Sequence, residues 1–128
     1  MKIEHIAYVV KDPVAAAQWY VDNLGFRVAR STGAPTFTHF LFDSAGGTMI
    51  EIYTNPTVQV PHYAAMHPLI LHLAFCTDDV NGTRQRLLAA GATAEGPITV
   101  TQAGDELAML RDPWGFPIQL ARRGEPFG

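Results

Sequence analysis

At 128 residues, 48% hydrophobic and 16% charged, the chain is long enough for one globular domain and too apolar and weakly charged for an intrinsically disordered one. Nine Lys plus Arg against twelve Asp plus Glu give a formal charge of −3, without the basic excess that a phosphate backbone demands, so nucleic acid is not an expected partner. The single cysteine, Cys76, excludes an internal disulfide and a thiolate cluster, so any metal is expected on N and O ligands. No apolar run has the length of a membrane span, and Met1-Lys2 lead into a strand-like segment without a signal-peptide pattern. A cytoplasmic protein without membrane contact is the expectation.

Residues 3–10 alternate in side-chain direction, with His5, Ala7 and Val9 on one face and Ile6, Tyr8 and Val10 on the other, which predicts a strand. Asp12 is a good N-cap, Pro13 suits the first helical position, and Val14, Ala17, Val21 and Leu24 recur at helical spacing before Gly25 ends the run. Strand-like runs follow near 26–31, 36–43 and 48–54, separated by the turn residues Gly33-Ala34-Pro35 and Ala45-Gly46-Gly47. This is a βαβββ unit, about 1–54. A connector, 55–67, leads to a second such unit, about 68–122, and a short C-terminal tail. The second unit has a strand at 70–76, a helix at 79–90 carrying Val80, Thr83, Leu87 and Ala90, and strands near 95–101, 105–111 and 116–122.

The two units are copies. Ile3-Glu4-His5-Ile6-Ala7-Tyr8 aligns with Ile70-Leu71-His72-Leu73-Ala74-Phe75 at an offset of 67 residues, and the same offset carries Asp12 onto Asp79. Gly25 and Gly91 close the two helices, and Asp43-Ser44-Ala45-Gly46 matches Asp112-Pro113-Trp114-Gly115 before the final strand of each unit. Side-chain direction places Glu51 with Met49 and Tyr53, opposite Ile50 and Ile52. It places Gln119 with Pro117 and Ala121, and His72 with Ala74 and Cys76. If the strongly apolar faces pack on the helices, His5, Glu51, His72 and Gln119 share the far face beside small residues, which leaves room for a cavity. A lone histidine in an apolar strand is ordinarily a hydrogen-bonded core residue, and a lone glutamate an exposed one. Equivalent positions of a duplicated unit that carry His and His, then Glu and Gln, favour a divalent metal site. Two imidazoles, a carboxylate and an amide oxygen suit Zn, Ni, Co, Mn or Fe(II), one ion per site.

These residues and the tandem βαβββ units, with the Asp-Pro-Trp-Gly turn at 112–115 and Ile118-Gln119-Leu120 after it, resemble the vicinal oxygen chelate superfamily. That superfamily holds glyoxalase I, methylmalonyl-CoA epimerase, fosfomycin-resistance transferases, extradiol dioxygenases and bleomycin-binding proteins. The resemblance runs from Ile3 to Arg122. It implies an α+β fold in which the two units form a curled, cup-like mixed sheet with helices on the convex side, and metal ligands at His5, Glu51, His72 and Gln119. Glyoxalase I and most catalytic relatives carry a carboxylate where this chain has Gln119, and an amide cannot take up a proton near neutral pH. Glu51 is therefore the expected catalytic base. The first strand also lacks the arginine with which small bacterial glyoxalases hold glutathione.

The expected function is a glyoxalase-like, metal-dependent lyase or isomerase acting on a small 2-oxo or enediol-forming substrate. The alternatives are a non-catalytic binding protein of the bleomycin-resistance type and an Fe(II) dioxygenase. Phe37, His39, Met49 and Tyr53 are candidate pocket walls, Cys76 is read as small core filling, and Arg84, Arg86, Arg122 and Arg123 as solvated charge. A homodimer is expected, with His5 and Glu51 of one subunit meeting His72 and Gln119 of the other.

Overall fold

The structure, a computed structural model, describes Met1–Phe127. The fold is α+β, with two tandem βαβββ units that divide as Met1–Pro61 and His62 onward. The first contains β1 (His5–Val9), α1 (Pro13–Leu24), β2 (Arg27–Ser31), β3 (His39–Phe42) and β4 (Met49–Tyr53). The second opens on a short 3-10 turn (Tyr63–Ala65) and contains β5 (Leu73–Cys76), α2 (Val80–Ala89), β6 (Thr93–Val100), β7 (Glu106–Arg111) and β8 (Pro117–Arg122). Each sheet is mixed and four-stranded, ordered β1-β4-β3-β2 and β5-β8-β7-β6, with the first and last strands of each unit paired in parallel. Among the described residues no helix is long and apolar enough to cross a membrane.

The helix ends follow the expected chemistry. Asp12 accepts from Ala15 N at 3.1 Å and Asp79 from Gly82 N at 2.9 Å, and Gly25 ends α1 with φ +69°. The buried stripe of α1 is rotated by about one position from the expected one: Pro13, Ala16, Ala17, Trp19 and Tyr20 are buried, while Val14 is exposed. The rotation buries Tyr20 almost completely, with its ring edge-on against those of Trp19 and Phe26.

In unit 1, α1 covers β2, β3 and β4, and in unit 2, α2 covers β6, β7 and β8. Leu41, Ile50 and Ile52 are accordingly buried in the first sheet, and Leu110, Ile118 and Leu120 in the second. The expectation that every strand presents an apolar face to its helix fails at the strands that open the units. Ile6 on β1 is 51% exposed, and Leu71, before β5, is also exposed. β1 and β5 are edge strands, and the helices lie over the other three strands of each sheet. β5 is also shorter than expected, beginning at Leu73, so that His72 sits just ahead of it. β3 begins at His39 because Phe37 closes a turn on Gly33 O and adopts φ +46°, outside the strand region.

The duplicated turns use one device. Asp43 Oδ1 accepts from Ala45 N and Gly46 N, and Asp112 Oδ1 accepts from Trp114 N at 3.0 Å and Phe116 N at 2.9 Å. Trp114 contributes its backbone to this turn while its ring is partly exposed. Arg111 locks the second turn in place. Its buried guanidinium donates to Glu95, to Tyr63 O and Met66 O at 2.8 Å, and to Gly115 O at 3.1 Å, so the segment entering unit 2 is tied to its sheet.

Candidate functional site

In unit 1 the donors come from the parallel pair β1 and β4. Ile6 lies opposite Ile50 and Ala7 opposite Glu51, so His5 and Glu51 stand diagonally on one sheet face. His5 Nε2 is 3.8 Å from Glu51 Oε2, and both side chains are partly buried. The other ring nitrogen, Nδ1, lies 3.0 Å from Glu4 Oε1. A carboxylate oxygen accepts, so Nδ1 donates to Glu4, and Nε2 is the ring nitrogen that faces Glu51. The ring plane is held by an edge contact with Phe40, centroids 5.5 Å apart at 85°.

Unit 2 repeats the stagger. Leu73 lies opposite Ile118 and Ala74 opposite Gln119, the register of unit 1, and His72 immediately precedes the first paired residue. His72 Nδ1 is 3.0 Å from Pro68 O, and a carbonyl can only accept, so this ring too donates from Nδ1. Two different acceptors, a glutamate and a backbone carbonyl, thus engage the same ring nitrogen in both units.

The resemblance implies a divalent metal, and in unit 1 the His5–Glu51 pair fits half of a ligand set. Two ligands on a tetrahedral ion with bonds of about 2.1 Å sit about 3.4 Å apart. A side-chain rotation of a few tenths of an ångström would close the observed 3.8 Å between His5 and Glu51. Histidine ligands commonly donate their other ring nitrogen to a carboxylate or carbonyl, as both do here. Within neither unit do three His, Cys, Asp or Glu side chains gather as a metal cluster among the described residues.

The expected pocket residues are dispersed. Met49 lines a cavity of about 310 Å³ on the face of β4 that carries Glu51, together with Glu4, Ala29, Arg30, Phe40 and Phe42. Tyr53 shares that face by alternation along β4, opposite Val9. His39 lies opposite Ile52 and so points to the other face, with Nδ1 bonded to Phe37 O at 2.7 Å. Phe37 sits in the turn before β3. The sequence reading missed Phe40, Phe42, Arg30 and Glu4. Phe40 and Arg30 are placed by strand register, with Phe40 opposite both Glu51 and Arg30. Glu4 precedes β1, so its side chain is free to turn back onto the neighbouring ring.

Two further expectations are corrected. Cys76 is exposed on edge strand β5 rather than packed in a core. Arg123 is half-buried and paired with Asp105 at 2.9 Å, while Arg122 is exposed as expected and also meets Glu106 at 2.6 Å, because β7, β8 and the tail bring these charges together. Asp105 also accepts from Gly124 N at 2.9 Å, and that hydrogen bond, with the Arg123 charge, holds its carboxyl below the usual range.

Tandem βαβββ units, each with its first and last strands paired in parallel, define a glyoxalase-type fold. The sequence profile of the Glyoxalase/Bleomycin resistance protein/Dioxygenase superfamily matches residues 2–120, and the chain belongs to that superfamily. The chain is similar to the crystal structure of SMU.1112c at 28% identity, with 95% of this chain and 98% of that one covered and a TM-score of 0.74. It is similar to a glyoxalase family protein from Enterococcus faecalis at 26% identity, covering 94% and 97%, TM-score 0.70. It is also similar to TnmS3, an antibiotic binding protein from Streptomyces sp. CB03234, at 25% identity, covering 96% of each chain, TM-score 0.73. None of the curated proteins matches the chain.

Proposed function

We propose that the protein is a divalent-metal-dependent lyase or isomerase of the glyoxalase type, acting on a small substrate with two adjacent oxygens. One observation carries the reading: His5 and His72 both have Nδ1 engaged by an acceptor, which turns Nε2 outward as the nitrogen available to a metal, and in unit 1 that Nε2 faces Glu51 Oε2 at 3.8 Å. The proposed ligands are His5, Glu51, His72 and Gln119, with Zn, Ni, Co, Mn or Fe(II) as the ion. A bound metal would polarise the substrate oxygens and stabilise developing enediolate charge. Glu51 is the proton-transfer group, because it is the carboxylate on the Nε2 side of His5, Glu4 is engaged on the Nδ1 side, and Gln119 cannot take up a proton. Gln119 contributes a neutral oxygen, and Glu4 and Pro68 orient the imidazoles. The chain is proposed to act as a cytoplasmic homodimer, which sedimentation of the purified protein tests.

A second reading, small-molecule binding without turnover, is favoured by Gln119 and by the likeness to TnmS3. Elemental analysis of protein purified without added metal, followed by assays on hemithioacetals and other 2-oxo compounds, separates the two. Stoichiometric metal that is lost in His5→Ala and in His72→Ala, with turnover that needs Glu51, supports the enzyme. Absence of metal together with tight ligand binding supports the binding protein.

A further inference from the structure

The cavity of about 310 Å³ beside His5 lies at the lower end of the ~300–1,000 Å³ usual for small-molecule sites. Its base is apolar and aromatic, formed by Phe40, Phe42 and Met49, and two charged residues line it, Glu4 and Arg30. These charges are not equivalent. Glu4 is engaged with His5 Nδ1. Arg30 is exposed, and among the described residues its guanidinium makes no hydrogen bond or ion pair. The other arginine on β2, Arg27, is already placed over the Phe42 ring at 4.6 Å. Arg30 lies opposite Phe40, and Phe40 opposite Glu51, so the three form one row across β2, β3 and β4. Strands are about 4.8 Å apart, which puts the Arg30 and Glu51 backbones about 10 Å apart with an aromatic ring between them.

We infer that this cavity selects an anionic ligand: a small molecule with a flat apolar body resting on Phe40 and a carboxylate held by Arg30, its other end directed to Glu51. The inference rests on the metal-enzyme reading only for what happens at the Glu51 end. An uncommitted guanidinium offers paired donors in a plane that matches a carboxylate, and an aromatic ring is a tolerant platform for a flat ligand.

The test is calorimetric titration of the full chain, in the presence of a chelator, with hydrocinnamate, its neutral amide hydrocinnamamide, and the cation phenylpropylamine. The wild type should bind the carboxylate roughly fivefold more tightly than the amide, the scale of a solvent-exposed charge pair, and the amine most weakly. Arg30→Gln should bring the carboxylate down to the level of the amide while leaving the amide unchanged, and Arg30→Lys should restore part of the preference. Equal binding of carboxylate and amide, tighter binding of the amine, no binding of the carboxylate at millimolar concentration, or an unchanged carboxylate affinity in Arg30→Gln each overturn the inference. The probes need no metal. Charge selection in a protein that never acquires metal therefore refutes the metal reading and supports Arg30, whereas His5-dependent metal without charge selection does the reverse.

Discussion

Glu4 Oε1 lies 3.0 Å from His5 Nδ1, and this contact decides which nitrogen of the ring faces Glu51. The glutamate is largely exposed and helps no core, so its removal should act on the ring and not on the fold. Glu4→Ala is expected to weaken metal affinity about tenfold, the lower end for an orienting partner, with an unchanged melting curve. Competition with a chromogenic chelator measures it, and an affinity equal to wild type would show that the contact orients nothing.

Imidazole must be neutral to bind a metal, so metal affinity should fall as pH drops through the histidine range. Uptake that stays flat across that range, or survives His5→Ala combined with His72→Ala, would refute histidine ligation.

Glu51→Gln should stop exchange of substrate protons with solvent while leaving the sheet intact, because an amide keeps the shape and the oxygen but cannot carry the proton. Gln119→Glu should retain metal and change the rate, since it adds a charge and a second base at the equivalent position of unit 2. Proton exchange at the wild-type rate in Glu51→Gln would remove Glu51 from catalysis and strengthen the binding reading.

Arg111 is the buried charge on which unit 2 depends. Arg111→Met strands the carbonyls of Tyr63, Met66 and Gly115, and leaves Glu95 without its partner. A loss of about 3 kcal/mol in urea denaturation is expected. Gly115→Ala attacks the same junction from the other side. Gly115 has φ +89°, and a Cβ there would lie 2.6 Å from Ala64 Cβ, so a loss of about 2 kcal/mol is expected. Wild-type stability in either variant would mean that the entering segment is not held as described.

Asp105 supplies a pH-dependent contact at the C-terminal end of the sheet. Its carboxyl titrates below the ordinary aspartate range because Gly124 N and Arg123 favour the anion. A depressed folded pKa means that the contribution is fully present above the unfolded value and is lost as pH falls through the folded one. The Gly124 amide resonance should shift in that acid range in the wild type and stay put in Asp105→Asn. A shift that persists in the variant would assign the titration to another group.

The sequence by itself determined the duplicated βαβββ order, the two N-caps, the Asp-containing turns and the face that carries Glu51. Each of these is local. A strand's alternation, a cap's reach to the third residue and a turn's hydrogen bonds are complete within a few residues, so they are legible wherever the chain is read. The tertiary structure decided the rest. Ile6 is exposed because β1 is an edge strand that its helix does not cover, and Val14 because tertiary packing of Tyr20 rotates the helix by one position. His39 points away from Glu51 and Phe40 points with it, because register, not composition, sets which residues of neighbouring strands share a face. Arg30 and Arg111 read alike in the sequence, yet one is left free beside a cavity and the other is buried among carbonyls. That difference comes from pairings between segments far apart in the chain, which no local pattern encodes.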